Sequence, residues 1–443
     1  MKKYILIIVL AFICTDAFAQ RFKSFSGNAD NYIQELEELY KTDPNMNKDQ
    51  KKEWESLINR YDSVWNTFNS QHKKDIIKLS QVMLKKNIRA RNGFYDFLMT
   101  QIAFTGSNQT AESYNQWLKG MQEYLDKHNI KIYNNAVNAT YNLLANNCLY
   151  LSKTVKWEFD KGTPYMFRID NERGVYADFN TPINLTYSAA KGSNTVYATM
   201  GRLYLMEDKW EGRGGTVNWE RSGLNTDSVF CKINDYTAEL KTAGFKADSV
   251  VFTNKEYFSY TLDGVFEDKI TDKTSKDSRY PKFTSYKKTE YIKGVFPNVD
   301  YVGGFSQQGG RFLGTGSQKE PARLVFYKES SVFMVAKAIE HPFSREGIIT
   351  EDCQVTFYVN EKGNEKDSIY HPGTKMNYNK NTHIILCTDT KKGISSSPWM
   401  DSYHGVEIYT EAVYAGLDDH TIEFSAVKGP SHDAFATIES MSY

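Results

Sequence analysis

The sequence predicts an α+β chain of several domains, with an N-terminal antiparallel helical bundle followed by a large all-β region built as a β-solenoid or an elongated jelly roll. Three observations lead there. Apolar residues recur at helical spacing from about Asn28 to Leu151. The period falls to two residues near Lys153 and stays short as far as Tyr443. Within the β part, similar segments recur at an offset of about 21 residues.

The first nineteen residues come before the fold. Lys2 and Lys3, an apolar run from Tyr4 to Ile13, and Ala17-Phe18-Ala19 before Gln20 form a secretory signal peptide. The mature chain is expected to start near Gln20 and to reside in the periplasm, on the outer membrane surface or outside the cell. Cys14 is the alternative lipidation point, but Ile13 before it is bulky where a small residue usually stands.

Residues 20–152 read as the helical domain. Trp54, Leu57, Ile58, Tyr61, Trp65 and Phe68 make one apolar stripe, and Asp43-Pro44 closes the helix before it. Ser70 is placed to cap the next helix. Tyr114, Trp117, Leu118, Met121 and Leu125 make a second stripe, and Val137, Tyr141, Leu144, Cys148 and Leu151 a third. Short connections between such stripes imply antiparallel neighbours.

Residues 153–443 read as the β-rich domain, with a possible division near 275–300. Val155, Trp157 and Phe159 alternate with Lys156, Glu158 and Asp160, the pattern of a half-buried strand. Gly223-Leu224-Asn225-Thr226-Asp227-Ser228-Val229-Phe230 is echoed by Gly244-Phe245-Lys246-Ala247-Asp248-Ser249-Val250-Val251. Thr195, Thr216 and Thr237 keep the same offset. A repeat of this length supplies one rung of a solenoid or one hairpin of a jelly roll, and a compact sandwich is the remaining arrangement.

Two segments, Ala247-Asp248-Ser249-Val250-Val251-Phe252 and Leu262-Asp263-Gly264-Val265-Phe266, carry a resemblance. The stretch from Thr195 to Asp268 resembles the OstA-like β-jellyroll of lipopolysaccharide-transport proteins. The whole chain is similar to the large uncharacterised exported proteins of Gram-negative envelopes, which join a helical region to a long β body. Neither resemblance brings catalytic residues with it.

Composition narrows the partners. Lys and Arg total 54 against 54 Asp and Glu, so no polyanion such as nucleic acid is indicated. No second apolar run reaches the ~18 residues a membrane-spanning helix needs. Envelope proteins or glycans are the partners that remain. The 30 Tyr and 26 Phe suit sheet faces. Four cysteines follow the leader: Cys148, Cys231, Cys353 and Cys387. They read as buried small residues, and if a disulfide forms, Cys353 with Cys387 is the expected pair.

Candidate chemistry is sparse. Asp62-Ser63-Val64, Asp227-Ser228-Val229, Asp248-Ser249-Val250 and Asp367-Ser368-Ile369 are similar to the acceptor of a general O-glycosylation system of Gram-negative envelopes, which marks Ser63, Ser228, Ser249 and Ser368. Turn formation before a strand explains the same tripeptides equally well. Asp401, His404, Asp418, Asp419, His420, His432 and Asp433 gather near the C-terminus, with Asp401, His404 and His420 the residues to inspect as metal ligands. Their spacings match no metal motif, so no metal and no cofactor is expected. His383 and Cys387 flank an apolar strand-like run rather than a helix face. Gly212-Arg213-Gly214-Gly215 and Gly309-Gly310 precede no helix, so they read as strand turns or bulges rather than phosphate cradles.

The functional expectation is a non-catalytic exported envelope or surface scaffold that binds a partner. The alternative is a polysaccharide-binding or polysaccharide-degrading protein, with Trp157, Trp210, Trp219 and Trp399 as sugar-stacking candidates that serve equally as core. An alternating run through Phe435 and Ile438 continues to the last residues, so a longer natural chain is expected.

Overall fold

The computed structural model describes residues 21–127, 129–270, 278–344, 346–359, 367–389, 397–425 and 436–441. The leader and Cys14 lie outside them. Six α-helices come first: Tyr32–Lys41, Lys48–Trp65, Ser70–Lys85, Phe94–Thr105, Ala111–Lys127 and Ile130–Asn146. From Cys148 onward the described chain is antiparallel β-structure with one short 3-10 turn, Glu220–Ser222; another, Ala90–Asn92, precedes the fourth helix. No helix among the described residues is long and apolar enough to cross a membrane. The chain divides into two compact units, one of Met1–Gly215 with Asp235–Phe245 and one of Thr216–Asn234 with Lys246–Tyr443.

In the first unit two of the three apolar stripes do what their spacing implies, while in the third Tyr141 and Leu144 are only half-buried. Trp54, Leu57, Ile58, Tyr61 and Trp65 are buried, as are Tyr114, Trp117, Leu118, Met121 and Leu125. Aromatic rings interlock in this core, with Tyr32 and Trp65 4.5 Å apart. Its polar atoms are partly paired: the Trp117 indole donates to Thr140 Oγ1 at 2.9 Å, and the Tyr32 and Ser80 hydroxyls meet at 2.7 Å.

Two local details depart from the sequence reading. Asn69, not Ser70, is the cap of the helix Ser70–Lys85, its side-chain oxygen accepting the His72 amide at 2.8 Å. The last helix stops at Asn146, because Asn147 takes a left-handed conformation with φ of 52°. Cys148 and Leu151 therefore belong to the strand Cys148–Leu151, and Leu151 is exposed.

The strand Gly174–Ala189 organises the first unit's sheet. Its beginning pairs with Met166–Asp170 and its end with Val155–Phe159, while most of its length faces Gly192–Tyr204 across a hairpin closed at Ala189 and Gly192. Lys209–Arg213 and then Asp235–Glu239 extend the ladder. Phe167, Val175, Ala177, Phe179, Leu203 and Trp210 fill its inner face. Gly120 lets the helix Ala111–Lys127 approach that face, since a Cβ there would stand 2.4 Å from Val175.

The second unit repeats the device of long strands that change partners. Val299–Gln308 pairs through its first residues with Glu290–Phe296 and Ala322–Lys328, and through its last with Lys282–Ser285 and Arg311–Thr315. Gly347–Tyr358 and Ser368–Asn379 run together for most of their length, and Ser368–Asn379 also binds Ile384–Thr388 and Trp399–Asp401. Stacked aromatics such as Phe252 with Phe283 and Phe305 with Phe312 occupy the interior.

The 21-residue echo does not correspond to equivalent elements. Gly223 to Ser228 forms turns before the strand Val229–Lys232, whereas Gly244–Asn254 is a single strand interrupted by the left-handed Ser249. Gly214 and Gly215 follow the strand Lys209–Arg213 with φ of 68° and 125°, and Gly309-Gly310 closes a hairpin.

Candidate functional site

The side chains singled out in the sequence do not converge. Trp157, Trp210 and Trp219 are completely buried and Trp399 nearly so. Their indole nitrogens serve the interior: Trp157 donates to the Thr242 carbonyl, Trp210 to the Tyr236 hydroxyl and Trp219 to the Pro281 carbonyl. No face of these four rings is open for stacking on a sugar. The strand pattern marked them correctly as inward positions but carried no sign of an open groove.

The four Asp-Ser-apolar tripeptides sit in different settings. Ser63 is exposed on the helix Lys48–Trp65, and Ser228 is half-buried at a turn. Ser368 opens its strand, its amide donating to Ser402 Oγ at 2.9 Å. Ser249 is exposed in mid-strand with φ of 55°, and its amide donates to the Tyr286 hydroxyl at 2.8 Å.

The C-terminal ligand candidates resolve into two separate pairs. Asp401 closes a hairpin by accepting the Tyr403 and His404 amides at 3.0 and 3.1 Å, and His404 Nδ1 lies 2.7 Å from its second oxygen. That is an Asx-type turn. His383 Nδ1 lies 2.9 Å from Asp418 Oδ2, while Cys387 is buried in the following strand. His420 and Asp419 are exposed, and His432 and Asp433 lie outside the described residues. No group of three His, Cys, Asp or Glu able to hold a metal occurs among the described residues.

The cysteines correct one expectation. All four are free thiols. Cys353 pairs with Thr374 and Cys387 with Met376, so the strand Ser368–Asn379 runs between the two cysteines. Two strand spacings separate their backbones by about 10 Å, beyond the ~7 Å a disulfide spans. Burial pushes the Cys387 thiol up to about 12 and raises that of Cys353 as well.

A polar cleft lies in the first unit, on residues of which sequence reasoning weighed as a site only Gly212 and Arg213, and read them as a strand turn or bulge. It encloses about 390 Å³ between two rungs of side chains on one face of the sheet. Asp178, Arg202, Glu211 and Thr237 are registered neighbours on four adjacent strands and form the first rung. Arg213 opposite Asp235 forms the second. The floor between them is the backbone of Gly201, Gly212 and Tyr236, also in register.

The glycines of this floor are set by the packing beneath it, on the buried side of the sheet. A Cβ on Gly212 would stand 2.1 Å from the Tyr236 ring and 2.6 Å from the Trp210 indole nitrogen, so only glycine fits there. The Tyr236 hydroxyl, bonded to Thr199 Oγ1 at 3.0 Å, is pushed up to about 12 by burial.

The charged side chains around this floor are held by neighbours. The almost buried Asp178 carboxylate lies 3.2 Å from Arg168 Nε and 3.5 Å from Arg202 Nε, and accepts from Asn180 at 3.0 Å. Arg202 also sits 5.1 Å from the Tyr176 ring centre. Arg173 binds Glu207 through two nitrogens at 2.7 Å and Glu211 at 2.8 Å, with its guanidinium 3.3 Å from the Tyr204 ring centre. These bonds hold the Glu207 carboxyl below its ordinary range and strengthen the protonated form of Arg173.

No family model, curated protein or solved structure matches this chain. A second cleft, of about 380 Å³ in the second unit, is lined by Lys282, Thr284, Gln308, Thr315, Glu320 and Glu340 among others. Both clefts offer mixed hydrogen-bond donors and acceptors and side chains of both charges.

Proposed function

We propose that this chain is a non-catalytic exported envelope or surface scaffold, whose β body is an elongated jelly roll and whose helical region meets an envelope partner. The observation that carries this reading is the continuous antiparallel pairing of the second unit, where long strands are hydrogen-bonded along both edges and hand over from one pair of neighbours to another. Such a ladder leaves little backbone free to move and suits a load-bearing or presenting role. Hairpins closing at Ala189/Gly192 and Gln308/Arg311 favour a jelly roll over a solenoid, and a compact sandwich has such hairpins as well.

Genetic complementation tests the proposal. Loss of the gene should make cells more sensitive to detergent, and a copy with residues 1–19 should restore resistance. A copy lacking those residues should not. Full rescue by the leaderless copy would contradict an envelope role.

A further inference from the structure

We infer that the first unit's cleft is a binding site for a neutral saccharide, seated on Gly201 and Gly212 between the rung of Asp178, Arg202 and Glu211 and that of Arg213 and Asp235. The inference goes beyond the scaffold reading and does not depend on it. The two rungs stand two residues apart on each strand, and their side chains wall the cleft in which the sugar is placed over the glycine backbone. Its volume of about 390 Å³ falls within the ~300 to 1,000 Å³ of small-molecule sites.

The lining selects the chemistry. Arginine only donates hydrogen bonds and carboxylate only accepts them, and the two alternate both along the first rung and across the second. A sugar hydroxyl does both, so adjacent hydroxyls can bridge neighbouring groups of opposite charge without adding net charge. A phosphate or polyuronate would face Asp178, Glu211 and Asp235, and an organic cation would face Arg202 and Arg213.

The site is also pre-ordered. Asp178 is fixed by Arg168, Arg202 and Asn180, and Glu211 by Arg173, which in turn stacks on Tyr204. Groups already held in place lose little freedom when a ligand arrives. This binding mode uses none of the four buried tryptophans of the β part.

Isothermal titration of the full mature protein with cellohexaose, xylohexaose and mannohexaose tests the inference, with hexagalacturonic acid as the anionic comparison. At least one neutral hexasaccharide should bind saturably. Arg213→Ala and Asp235→Ala should each weaken it about tenfold, with the thermal midpoint unchanged because both residues are exposed. Thr237→Val, which keeps the side-chain shape in its strand, should weaken binding less but measurably. Absence of binding by all three neutral sugars, preference for the uronic acid, or full affinity in the Arg213→Ala/Asp235→Ala double variant would each overturn it.

Discussion

His341 makes the second unit sensitive to acid. Its imidazole is completely buried in the strand Glu340–Phe343, with Nε2 3.2 Å from the Ala322 carbonyl and Nδ1 2.9 Å from Thr350 Oγ1. A carbonyl only accepts, so Nε2 carries the proton and Nδ1 accepts from the threonine hydroxyl. The neutral ring is thus fully satisfied. Burial opposes adding a charge and lowers its pKa from 6.5 to about 4, partly offset by the bond to Ala322. The folded value lies below the unfolded one, so the unfolded chain takes up the proton first. The stability that depends on neutral His341 is complete above about pH 6.5 and is lost as pH falls towards 4. At about 1.4 kcal/mol per pKa unit the loss is about 3 kcal/mol.

Burial lowers the pKa of His371 too, in the same unit, so the test compares wild type with His341→Gln. Urea unfolding followed by tryptophan emission at pH values from about 7 to 4 gives both stabilities. Trp399, 4.9 Å from the His371 ring, reports on this unit. His341→Gln should be less stable than wild type near neutral pH, and the gap should shrink by about 3 kcal/mol as the pH falls. An equal pH dependence for the two proteins would refute the reasoning.

Gly212→Ala should destabilise the first unit by about 1 to 3 kcal/mol, because its methyl group would overlap the Tyr236 ring; urea unfolding at neutral pH measures it. The Tyr61 hydroxyl is buried without a hydrogen-bond partner, so Tyr61→Phe should leave stability unchanged or raise it. Tyr32→Phe, which breaks the bond to Ser80, should cost about 1 kcal/mol in the same assay. Ellman's reagent should find four thiols in the denatured mature chain and almost none reacting promptly in the native one, since all four are free and buried. Two thiols after denaturation would instead mean a disulfide.

The change from helical to strand periodicity near Lys153 was legible because amphipathic stripes are local. Trp54, Tyr61, Trp117 and Met121 needed only their own neighbours in sequence to be read as core. The helix end at Asn146 was less legible, since Cys148 and Leu151 continue the apolar spacing and only the left-handed Asn147 breaks it. The handover at Ser70 failed for a similar reason: Asn69 is an equally good cap one residue earlier.

The cleft could not be read at all. Gly201, Gly212 and Tyr236 come from three strands, and only the register between those strands makes them neighbours. A glycine in each of two successive strands was the available signal, but it is shared by every bulge and tight turn. The same limit explains the cysteines, because nothing local reveals that Ser368–Asn379 passes between Cys353 and Cys387. The echo between Gly223–Phe230 and Gly244–Val251 shows the converse, where similar residues take up different local structure.

The most direct test of the central claim is the intact mass of the native protein recovered from the cell's own envelope fraction, with peptide mapping of its N-terminus. An exported scaffold should be found there with its chain beginning near Gln20. Recovery mainly from the cytosol, with Met1 and the leader still attached, would contradict it.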